Sequence, residues 1–79
     1  MGDKEQMASE FKQTISSLKN NMANSFEYIK NNPQDRNEII DLWKAGIKQL
    51  LREATNLSER YQDKGIIKAI TKMLMFGRH

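Results

Sequence analysis

The chain offers few groups that could do covalent chemistry. Its one histidine, His79, is the last residue, and it holds no cysteine. No serine stands near that histidine in sequence, so no nucleophile–base pair comes into view. Glu53, Glu59 and Asp63 fall on or near helix surfaces among lysines and arginines. General acid–base work needs a carboxylate in a concave, desolvated site, and solvated helix-face charges do not supply one. There is no glycine-rich phosphate loop and no ligand set with metal spacing. The residues therefore predict a protein that is not an enzyme, with no catalytic residue, cofactor or metal.

The charged residues that are patterned are basic. Lys44, Lys48 and Arg52 are spaced four apart and so share one helix face, as do Lys64, Lys68 and Lys72. Residues 1–40 carry five Lys/Arg against six Asp/Glu, and residues 41–79 carry eight against four; the balances of −1 and +4 sum to the net +3. Such stripes can face an acidic protein, a phosphate backbone or anionic lipid. They are equally the ordinary solvated backs of amphipathic helices. Nucleic-acid readers add stacking or base-reading residues to such a stripe, whereas most aromatics here fall on apolar seams.

The elements that would carry these stripes follow from periodicity. In the first segment the apolar residues are Met7, Phe11, Ile15, Leu18, Met22, Phe26 and Ile29, stepping 4, 4, 3, 4, 4, 3. That is an eleven-residue pattern, close to the pitch of a straight helix and unlike a left-handed coiled coil. It predicts a helix over about 4–31. Its serine- and asparagine-rich run from Ser16 to Ser25 has poor helix propensity, so the helix should lean on tertiary contacts. Pro33 ends it and a turn over 32–35 follows. The next helix, about 36–62, starts in one of two ways: Asn32 caps it with Pro33 in the first position, or Asp35 caps it with Glu38 three residues on. Either start predicts an antiparallel pair. Its seam is Ile40, Trp43, Ile47, Leu50, Ala54, Leu57 and Tyr61, widened by Ile39, Leu42 and Leu51. Trp43 is expected to be the largest burial, and Gly46 is either a point of close approach by another helix or a tolerated surface glycine.

Continued past Tyr61, that seam meets Gly65, Lys68 and Lys72, while the apolar residues move to Ile66, Ile67, Ile70, Met73 and Leu74. One straight helix cannot bury both sets on one side. A break at 63–65 and a third helix over about 64–76, capped by Asp63, are expected, with residues 77–79 fraying. The fold class is all-α: an antiparallel helical hairpin plus a shorter third helix, a small three-helix domain over 1–79. Seventy-nine residues allow one modest core.

The third helix is sticky on one side and basic on the other: it can close the core of the three-helix domain, touch a membrane surface, or serve as the partner-binding element, and it is the best candidate in the chain for that last role. The residues assigned to contact are Lys64, Ile67, Lys68, Ile70, Lys72, Met73, Met75 and Phe76. An amphipathic helix of this kind lays its apolar side into a groove, and methionines make such contacts adaptable. The predicted function is a small protein–protein interaction module: an adaptor, regulator or inhibitor of a larger protein, whose partner has an acidic surface. The alternative is sequence-nonspecific nucleic-acid binding. Self-association is expected from two narrow stripes on a short chain. No apolar run approaches the roughly 20 residues needed to cross a bilayer, the first residues lack the apolar stretch of a secretory signal, and Gln6 stands where N-myristoylation prefers Ser or Thr. The expected location is the cytoplasm.

The Asn-Pro turn within residues 31–35, in a chain of this length, is loosely similar to that of type III secretion needle subunits. The likeness covers residues 11–60 as a pattern. It implies a helical hairpin that polymerises. A second proline common in those turns is missing here, and the ending from Met75 to His79 differs from theirs.

Overall fold

The computed structural model describes residues 2–76. His79 and the expected fraying of residues 77–79 lie outside them. The protein is all-α: the described residues form three α-helices and one short 3-10 turn, with no strand. Helix α1 is Asp3–Asn31, the turn is Pro33–Asp35, α2 is Arg36–Tyr61 and α3 is Gly65–Phe76. The chain divides into two units, Met1–Ile39 and Ile40–His79, taken here in turn.

In the first unit, α1 begins at an extended Gly2 whose N–H donates to Glu5 Oε1 at 2.8 Å. Glycine has no side chain to return the bond, so this is half of a capping box. Asp3 and Glu5 lie in the first turn and Lys30 in the last, matching the helix dipole at both ends. In the serine- and asparagine-rich stretch, the Ser25 hydroxyl donates to the Asn21 carbonyl at 2.8 Å. That bond satisfies a poor helix former without breaking the helix.

The exit from α1 is built on Asn32. Its backbone N–H donates to the Tyr28 carbonyl at 2.8 Å, and its side-chain amide donates to the same oxygen at 3.1 Å. Pro33 then opens the 3-10 turn, where its missing N–H costs nothing. Neither expected start of α2 forms as drawn. Asn32 precedes Pro33 as foreseen, but its side chain makes no cap bond and turns back to α1. The Asp35 carboxylate accepts from the Tyr28 hydroxyl, which takes it away from a capping box with Glu38.

In the second unit, α2 ends in a Schellman motif. The Asp63 N–H donates to the Ser58 carbonyl at 3.0 Å and the Gln62 N–H to the Glu59 carbonyl at 3.4 Å. Gln62 takes the left-handed conformation this motif needs, with φ 53°. The break expected over 63–65 falls at 62–64, between α2 and α3. The structure places the reversal of backbone sense at Gln62, and no glycine has positive φ among the described residues. Gly65 instead opens α3. Its N–H donates to Asp63 Oδ1 at 2.9 Å, and the Lys68 N–H donates to the Lys64 carbonyl at 2.9 Å. Asp63 thus caps α3 from two residues before its first residue.

Burial differs from expectation. No apolar side chain is buried among the described residues. Trp43, expected to be the largest burial, is half-buried, as are Ile40, Ala54 and Leu57 of the same seam. Among the described residues only Ser58 is buried, at 8% exposed. Its small side chain lies beside Leu57 at the α2 end of the elbow, and Ile67 and Ile70 are the half-buried residues of α3. A Cβ built on Gly46 meets nothing within 4 Å. The close approach expected there is absent, and Gly46 is a surface glycine.

Candidate protein-binding surface

Helix α3 carries most of the residues expected to bind a partner. Counting about 100° per residue, Met73, Ile66, Ile70, Leu74 and Ile67 fill an arc of roughly 120°. Ile67 and Ile70 are half-buried. Ile66 (75% exposed), Met73 (62%) and Leu74 (59%) are open to solvent. Ile66 and Leu74 were not among the residues assigned to contact. The same arc arithmetic would have found them, because both lie between Met73 and Ile67.

The lysines stand on another side. Lys64 precedes the helix and offers its first carbonyl to Lys68. Lys68 and Lys72 follow one and two turns later, and all three are exposed. Met75 falls within this basic stripe, next to Lys68 in angle, and Phe76 lies just past Lys72. Both are exposed. The eight residues assigned to one contact surface therefore divide between two: an apolar arc, and a basic stripe with Met75 and Phe76 set into it.

The Asp63 carboxylate holds the N-terminal end of α3. A negative group there satisfies one free N–H and opposes the positive end of the helix dipole. An arrangement of this type can dock into an apolar groove with an acidic rim. In docking of that type an apolar arc is what becomes buried and lysines beside it steer and orient.

Lys44, Lys48 and Arg52 form a second exposed basic stripe on α2. Among the described residues no group of three His, Cys, Asp or Glu could hold a metal ion. No helix of the described residues is long and apolar enough to cross a membrane.

Comparison with known proteins finds no matching family model, no matching curated protein and no matching solved structure.

Proposed function

We propose that this chain is a non-enzymatic protein-interaction module that binds a larger protein by seating α3 in an apolar groove with an acidic rim. The observation that supports this most is the exposure of Ile66, Met73 and Leu74 on one arc of α3. An apolar arc of this extent is stabilised by covering it, at roughly 25 cal/mol for each Å² removed from water. The lysine stripe beside it favours a partner of opposite charge.

The test compares three baits in affinity capture: the unaltered chain, Met73→Asp with Ile66→Asp, and Lys68→Glu with Lys72→Glu. The reading requires a protein captured by the first bait, lost with the apolar pair and weakened by the lysine pair in a salt-dependent way. The substituted residues are exposed, so circular dichroism should show unchanged helix content. Capture indifferent to the apolar pair would refute it.

A second reading is electrostatic binding to nucleic acid, which rests on the two exposed basic stripes. It requires affinity that falls steeply with salt and shows little sequence preference, together with loss of the captured material on nuclease treatment. A third reading, a self-assembling subunit similar to secretion needle proteins, rests only on the pattern around the Asn-Pro turn and requires filaments at high concentration.

A further inference from the structure

The apolar stripe of α1 is symmetric about its own middle. From Met7 to Phe26 its steps are 4, 4, 3, 4, 4, so the positions read the same from either end. Laid against a reversed copy, Met7 stands opposite Phe26, Phe11 opposite Met22, and Ile15 opposite Leu18. Two of these layers pair a methionine with a phenylalanine, a favourable sulfur–aromatic combination. The third pairs two branched aliphatics of equal volume at the centre.

All six side chains are between 39 and 69% exposed, on a helix of 29 residues. From this geometry we propose that α1 is a homodimer interface, pairing antiparallel with α1 of a second copy in the register that sets residue i against residue 33 − i. A two-fold interface must be self-complementary, and a palindromic stripe meets that condition without further adjustment.

The winding of the stripe also selects its partner. An eleven-residue repeat drifts around the helix in the opposite sense to a 3.5-residue repeat. The seam of α2 alternates three and four, the 3.5-residue rhythm. A second α1 therefore matches the winding of this stripe along its length. Six side chains of these sizes carry on the order of 600 Å² of apolar surface per copy, about 1,200 Å² for the pair. That lies at the lower end of specific interfaces, so the dimer is reversible rather than obligate. This surface is separate from α3, so its failure would leave the proposed function standing, and the reverse also holds.

The test uses the full chain and begins with sedimentation equilibrium. A monomer–dimer equilibrium is expected, with Ile15→Asp raising the dissociation constant about ten-fold or more while helix content by circular dichroism stays the same. Register is read by disulfide trapping, since the natural chain has no cysteine. A mixture of Phe11→Cys and Met22→Cys chains should cross-link. Each alone should not, because an antiparallel pair holds like positions about 16 Å apart along the axis, beyond disulfide reach. A monomer at every concentration, an Ile15→Asp chain that dimerises normally, self-linking of either single variant, or a mixture that fails to link would each overturn the proposal.

Discussion

The hydroxyl of Tyr28 donates to the carboxylate of Asp35 at 2.7 Å, joining the last turn of α1 to the turn that follows it. The Tyr28 carbonyl meanwhile accepts two bonds from Asn32. Both polar ends of one tyrosine thus hold the chain where it leaves the helix. The bond to Asp35 raises the Tyr28 pKa above 10.0, with the negative charge of Asp35 adding to it, followed by slight desolvation and the charge of Glu38.

A folded-state pKa raised in this way has a definite sign. The Tyr28–Asp35 interaction is fully present below pH 10.0, the ordinary tyrosine value, and is lost as pH rises through the raised value. In a Tyr61→Phe background, phenolate absorbance should report Tyr28 alone. It should titrate above 10.0 and move back toward it in Asp35→Asn. An unchanged titration in that variant would show that the bond is not made in solution.

The elbow makes a backbone prediction. Gln62 sits at φ 53°, where a side chain is unfavourable by roughly 1 kcal/mol relative to glycine. Gln62→Gly should therefore stabilise the protein by up to about 1 kcal/mol in urea unfolding. Gln62→Val should destabilise it, because a β-branched residue tolerates that conformation least.

Gly46 lies inside α2 with open space where a Cβ would point. Gly46→Ala should raise stability by about 0.5–1 kcal/mol and increase helix content. Destabilisation would mean that another surface approaches Gly46 in solution.

Asp63 caps α3 through the Gly65 N–H. Asp63→Ala should cost about 0.5–1 kcal/mol. Hydrogen exchange should quicken at the first turn of α3, while the C-terminal end of α2, held by backbone bonds to Ser58 and Glu59, changes little.

These sites show which features could be read from residue spacing. The change of apolar phase past Tyr61 announced the break between α2 and α3, because helical periodicity is a property of consecutive residues. The pivot could not be found in the same way. Glycine is the usual residue for positive φ, yet the hydrogen bonds that close α2 put that conformation at Gln62. The Tyr28–Asp35 bond spans seven residues around a proline and depends on the path of the turn, which spacing does not encode. Asp63 was legible as a cap from its residue type and place. The division of α3 into an apolar arc and a basic stripe containing Met75 was legible from angle alone, but grouping residues by stickiness obscured it. Trp43 shows the opposite limit. Its size suggested burial, while burial depends on what lies against it.

From the exposed apolar side chains of α1 and α3 we propose that the chain works by presenting helix faces for other surfaces to cover, a second copy at α1 and a partner at α3. The most direct measurement is thermal unfolding of the full chain by circular dichroism at protein concentrations spanning two decades. Coupling of folding to association makes the midpoint depend on concentration, so the midpoint should rise with each tenfold increase. One sharp transition at the same temperature throughout, with a monomer mass at the highest concentration, would contradict the pairing of α1 and leave the α3 reading to its own capture test.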